Sequence, residues 1–259
     1  MPYRRLPNST PAVIRTLKNA RDTYKNTPVA ADRAISAEQF AQLDNTVPNS
    51  LLNRLLKEGN DVDLAQAAQA PLTNRTAQEA ARLTTLVSHF HQVFDLGTAR
   101  GTFAIGARSY YGRDVSATTI PDISTYDALD TAAENIGTGE SARGNAEGIA
   151  YVAMSLPSAA EVTGQLGTFR TFHQQSEQAQ VNTDSEQEDV SALYPDAHTL
   201  AVDICDTVEF FYRKEPDDAS RRAKCMRWGV VYIYEPSEPL PANQPNAVSL
   251  PPAPPTPQP

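Results

Sequence analysis

The residues best suited to chemistry in this chain are its four histidines, two cysteines and clustered carboxylates. His89 and His91 are two positions apart, so on a helix their side chains diverge by about 200° and cannot bind one metal ion. We expect His173 and His198 to lie on antiparallel helices, where they could meet near acidic residues. Carboxylate-rich metal sites in helical bundles use Glu-x-x-His, and no histidine here has Glu three residues before it. A metal or small-ligand site at His173 and His198 is therefore only the alternative hypothesis.

The remaining motifs do not predict catalysis. Asp127, Asp130 and Glu134 share one helix face, but acids near a helix start also complement the helix dipole. The string GTGESA, residues 137–142, matches a loose dinucleotide pattern, yet it follows no predicted strand. The sequence contains no phosphate-binding loop, nucleophile elbow or zinc-protease motif. We expect a non-enzymatic protein without a cofactor.

Cys205 and Cys225 are too few for a disulfide framework, and no CxxC pair exists. We expect both to be small core residues. The opening residues contain no apolar signal segment, and no run of about 18 apolar residues occurs. These features predict a cytoplasmic protein without a membrane span.

A basic cluster near the end of the chain is the candidate interaction site. Its members are Arg221, Arg222, Lys224, Arg227 and Trp228. The cluster could bind an anion or a partner. Alternatively, its cations could pair with acids just upstream, namely Glu209, Glu215, Asp217 and Asp218.

The formal net charge is −9, which argues against nucleic acid as the main partner because phosphate binding requires clustered cations. Residues 1–25 nevertheless contain six cations and one acid, a local charge of +5. This segment is either a basic helix packed on an acidic bundle or a basic arm for an acidic partner.

The main structural element predicted is a helix from Asn74 to Gly101. Apolar residues recur there at steps of three or four, the period of a helix that buries one face. They are Ala80, Leu83, Val87, Phe90, Phe94 and Gly97, widened by Leu86 and Val93. Residues 51–70 are predicted to run back antiparallel, with Pro71 at the corner. An earlier helix should begin at Pro11, and Ser36 with Gln39 predicts a capping box.

A second hairpin is predicted over residues 158–215, with its tip in the Gln- and acid-rich tract 174–189. Between the hairpins, the connection 102–123 is long enough to be functional or partly structured. Residues 229–234 form the best predicted strand, which we expect to pair with 149–154. The fold class expected is all-α: an antiparallel bundle of two long helical hairpins with a minor two-stranded β element.

The last segment, residues 236–259, is rich in proline and is expected to be disordered or polyproline-II-like, and to form neither helix nor sheet. Residues 1–235 would then form one helical-bundle domain.

Four blocks give the chain a resemblance to an uncharacterised family of mainly helical bacterial proteins. They are MPYRRLPN, SHFHQVFDLGTARG, GESAR and SRRAKCMRWGVVY, in that order. The resemblance implies a bacterial source and one coherent domain, and it assigns no activity. We therefore expect a structural or protein-interaction protein with a protein partner or self-association, and membership of a larger assembly is a further hypothesis.

Overall fold

The structure, a computed structural model, describes residues 3–117 and 119–234, together with the backbone of residues 247–249. Its helices are α1 (Thr10–Lys25), α2 (Ala37–Ala41), α3 (Leu51–Ala99), α4 (Tyr126–Glu147), α5 (Ala159–Phe211) and α6 (Asp218–Arg227). Its strands are β1 (Tyr3–Arg5), β2 (Val231–Tyr234) and β3 (Ala247–Ser249). The predicted all-α class is confirmed.

The chain folds into two compact units. Unit 1 comprises Met1–Asp63 and Ser185–Pro259, and unit 2 comprises Leu64–Asp184. Both long helices, α3 and α5, contribute to both units. The single domain predicted for residues 1–235 remains a prediction.

The two predicted hairpins are wrong, because each is one continuous helix. α3 passes through the expected corner at Pro71, and α5 passes through the expected tip at 174–189 and through Pro195. A proline inside a helix removes one hydrogen bond and costs about 3 kcal/mol. Both prolines are exposed, so water can satisfy the carbonyl group that each leaves without a donor.

Within unit 2, α3 and α5 pack antiparallel. Polar side chains form contacts between the two helices at the places where the sequence predicted turns. Gln69 is hydrogen-bonded to Gln180 and accepts a bond from Thr183 at 3.0 Å. The hydroxyl oxygens of Thr73 and Ser176 lie 3.3 Å apart and share a hydrogen bond. A segment rich in glutamine and alanine can therefore lie in the middle of a long helix, because its side-chain amides form hydrogen bonds with the neighbouring helix.

The core of unit 2 confirms most of the predicted stripe on α3. Ala80, Leu83, Val87, Phe90 and Phe94 are buried, and they pack with apolar residues of α4 and α5. Val93 is 40% exposed, so it does not widen the stripe as predicted. The 102–123 connection is partly structured: it contains a 3-10 turn, Ile105–Tyr111, whose Tyr111 enters this core.

The core of unit 1 is formed by α1, the start of α3, the end of α5, α6 and β2. The predicted capping box is confirmed, since Ser36 and Gln39 exchange side-chain to backbone bonds at 3.1 and 3.0 Å. β2 matches the strand predicted at 229–234, but the predicted partner is wrong. β2 pairs antiparallel with β1, with Tyr3 opposite Ile233, while residues 149–154 form no strand.

One short part of the proline-rich segment also differs from expectation. Residues 247–249 form β3, which pairs parallel to β2. They lie in the longest proline-free stretch of the segment, residues 246–250, where consecutive N–H groups remain for pairing. Residues 236–246 and 250–259 lie outside the described residues, so the disorder predicted for them stays a prediction.

Gly229 is the position where unit 1 tolerates no side chain. Its φ is +99°, and an added Cβ would lie 2.7 Å from the carbonyl oxygen of Thr16 on α1. We predict that Gly229→Ala lowers the free energy of unfolding by about 2–4 kcal/mol, because it combines backbone strain with a clash against a helix backbone.

Gly59 on α3 is the matched control, since an added Cβ there meets nothing within 4 Å. Gly59→Ala should stabilise the protein by up to about 1 kcal/mol through helix propensity. Urea denaturation of both variants measures these values, and equal effects at the two glycines would contradict the packing described.

Candidate functional site

An open groove lies on unit 1 between α1, α3 and α5, with a volume of about 790 Å³. Its apolar lining comes from all three helices: Ile14 from α1, Leu55, Leu56 and Val62 from α3, and Val190 from α5. Gly59 also lines the groove and leaves space that a side chain would fill. We call this the unit 1 groove.

The rim of the unit 1 groove is charged unequally. α1 contributes Arg15 and Lys18, whose side chains make no ion pair or hydrogen bond with any residue that the structure describes. Their neighbours on α1 are paired, Arg21 with Asp22 at 2.8 Å and Lys25 with Asp44 at 3.2 Å. The positive charge of this helix is therefore unbalanced only beside the groove.

The first turn of α1 adds to this positive rim. Ser9 occupies the N-cap position without a side-chain cap bond, and the first turn contains no acid. Thr10 and Pro11 of this turn line the groove. The N–H groups and the dipole at a helix start favour negative charge, and nothing on α1 itself provides it.

The predicted basic cluster lies on α6 and is largely engaged within unit 1. Arg221 pairs with Asp218 at 2.9 Å and Lys224 with Glu215 at 2.5 Å. Trp228 is buried, and its indole N–H donates to the Tyr212 hydroxyl at 3.1 Å.

Two members of the cluster, Arg222 and Arg227, have no ion pair within the described part of the chain. Local ion pairing, the alternative predicted for the cluster, is therefore observed for Arg221 and Lys224. The interaction role of the cluster remains a prediction.

The predicted meeting of His173 and His198 is wrong. Both lie on α5, 25 positions apart on one helix, so they do not face each other across an antiparallel pair. His173 stacks on Phe169, with ring centroids 5.5 Å apart, and its Nε2 lies 3.6 Å from a carboxylate oxygen of Glu177.

A group of carboxylates on unit 1 is already neutralised in part. Oxygen atoms of Glu58, Asp61 and Glu186 lie within 4.8 Å of one another. The ammonium group of Lys57 lies 2.9 Å from Asp61 and 3.1 Å from Glu58, and these hydrogen bonds raise the pKa of Lys57. A side-chain cation thus already pairs with two of the three carboxylates.

The sequence predictions missed a buried polar cluster in unit 2, which includes Glu140 and Arg143 of the GESAR block. Arg143 donates to Glu140 at 2.9 Å and to the Tyr111 hydroxyl at 2.8 Å. Glu140 also accepts from Tyr111, from Tyr151 at 2.6 Å and from the Met154 N–H at 2.9 Å. The signal available was the Glu-x-x-Arg spacing, which puts the two side chains on one helix face.

The protonation of this cluster is fixed by its contacts. Burial alone would raise the pKa of Glu140, but hydrogen bonds from Tyr111, Tyr151, Met154 and Arg143 lower it overall. Burial, and then the bond to Glu140, raises the pKa of Tyr151 to about 12. The tyrosines therefore remain donors and Glu140 remains an acceptor at neutral pH, which suits a structural cluster.

His91 is fully buried in unit 2, and neither of its ring nitrogens forms a hydrogen bond with any residue that the structure describes. Burial, aided by the charge of Arg113, lowers its pKa to about 4, against an opposing effect of Asp95. Arg113 binds Asp95 through two bonds of 3.0 Å, and Arg108 binds it through a third. His91 is therefore a neutral core residue beside a paired carboxylate.

Comparison with known proteins gives no matching protein family, no matching curated protein and no matching solved structure. Within the residues that the structure describes, no helix is both long and apolar enough to cross a membrane. The function must therefore be argued from the sites themselves.

His91 makes a pH-dependent contribution to stability. Its pKa is lower in the folded protein than the ordinary value of 6.5, so the unfolded chain binds the proton more tightly. Stability from this residue is present above pH 6.5 and is lost as the pH falls toward 4. We predict that the free energy of unfolding falls by about 2 kcal/mol between pH 7 and pH 5.

Urea denaturation at several pH values checks this prediction. His91→Leu should remove most of the loss between pH 7 and pH 5, whereas His89→Gln, at an exposed position of the same helix, should leave it unchanged. A loss of the same size in His91→Leu and in the wild-type protein would show that other groups cause it.

Proposed function

We propose that this chain is a non-enzymatic protein-interaction module of a bacterial cell, with the unit 1 groove as the docking site for a helical segment of a protein partner. The observation that carries the proposal is the apolar lining of the groove at Ile14, Leu56 and Val190, which pack against the core of unit 1 on one side and remain half-exposed in the groove. An amphipathic helix places apolar residues at steps of three and four into such a groove.

The other polar groups favour a scaffold role for the rest of the molecule. The buried charges of Glu140 and Arg143 are bound to each other and to neighbouring donors and acceptors. Asp95 is bound by Arg108 and Arg113. Such contacts hold helices and turns in place, and they support a function based on surface shape and charge.

Selection from a displayed library of helical peptides tests this function. The library has fixed leucines at i, i+3, i+4 and i+7 and random residues elsewhere, and it is selected on the wild-type protein and on Gly59→Trp. Tryptophan at this position extends into the open space of the groove, so peptides enriched on the wild type should lose at least tenfold in affinity for the variant.

Gly59→Ala is the matched control, because it changes the same position without filling the groove. It should bind the enriched peptides as the wild type does, and circular dichroism should show unchanged helix content in both variants. If no peptide is enriched on the wild type over Gly59→Trp, the groove is not a docking site for helices.

A further inference from the structure

We infer that the partner helix is acidic, with a row of carboxylates along the edge that lies against α1. This inference rests on the proposed function, and it names the chemistry of the occupant. It is carried by the unpaired cations on one rim of the unit 1 groove and by the uncapped start of α1.

Arg15 and Lys18 are informative because they lie together at the groove, and not because an unpaired cation is rare. Acids outnumber bases by 31 to 22, yet Lys214 and Arg227 also have no ion pair among the described residues. Arg15 and Lys18 are likewise unpaired there, but both line the groove on the side of α1.

The spacing of the two cations fits a helical partner. Arg15 and Lys18 are three positions apart, so they lie on one face of α1 about 4.5 Å apart along its axis. Carboxylates three or four residues apart on a neighbouring helix have a similar spacing and can pair with both. The start of α1 adds further positive potential, because its first turn contains no acid.

The other walls of the groove determine which edge of the partner is acidic. α3 contributes Asp63, which would repel a carboxylate, and α5 contributes the neutral Gln187 and Ser191. The carboxylates of the partner must therefore face α1. Its apolar stripe would cover Ile14, Leu56 and Val190.

The sequences of the enriched peptides test this inference directly. On the wild-type protein we expect Asp and Glu to be enriched along one edge of the apolar stripe. With Arg15→Glu/Lys18→Glu as the target, the same library should yield Lys and Arg along that edge. Enriched peptides with no charge preference, or with basic residues on the wild type, would overturn the inference while leaving the docking site intact.

Fluorescence anisotropy of one acidic selected peptide measures the effect. The double variant should weaken binding roughly tenfold at low salt, and the difference should shrink as the salt concentration rises. Arg213→Glu/Lys214→Glu is the charge-matched control, since both residues are exposed cations of unit 1 outside the groove. Equal weakening in the two double variants would show that net charge, and not the groove rim, attracts the peptide.

Discussion

The burial of the apolar faces of α3 and α5 is the constraint on which the rest of the structure depends. In unit 2, Leu83, Val87 and Phe90 of α3 are fully buried, and α4, the 102–123 connection and α5 supply the residues that cover them. In unit 1, the start of α3 and the end of α5 share a core with α1, α6 and β2. The same burial leaves the unit 1 groove as an apolar surface that the three surrounding helices do not close.

Polar contacts then determine how the smaller elements attach. Arg143 and Glu140 tie the end of α4 to the turn at Tyr111 and to the residues around Met154. Gly139 permits this approach, because an added Cβ would lie 2.3 Å from the Tyr110 carbonyl oxygen. In unit 1, by contrast, Arg15 and Lys18 have no such partners among the described residues, so their charge is available to a binding partner.

The sequence predicted those features that depend on local periodicity. The α3 stripe, the capping box at Ser36 and the β2 strand follow from spacing and residue type. The hairpins failed because Pro71 is tolerated at an exposed position of α3 and the Gln- and acid-rich tract 174–189 continues α5 as helix, which the local pattern does not show. The groove could not be predicted, since it needs three distant segments, although a basic arm for an acidic partner was one of the two hypotheses for the +5 charge of residues 1–25.

The most direct test of the account is a crystal structure of the full chain bound to an acidic helical peptide selected on it. We predict a helix in the unit 1 groove, with apolar contacts to Ile14, Leu56 and Val190. We also predict carboxylate oxygens within about 4 Å of the Arg15 and Lys18 side-chain nitrogens. A peptide bound elsewhere, such as at the α6 cluster, or bound in the groove with its acids away from α1, would contradict the account.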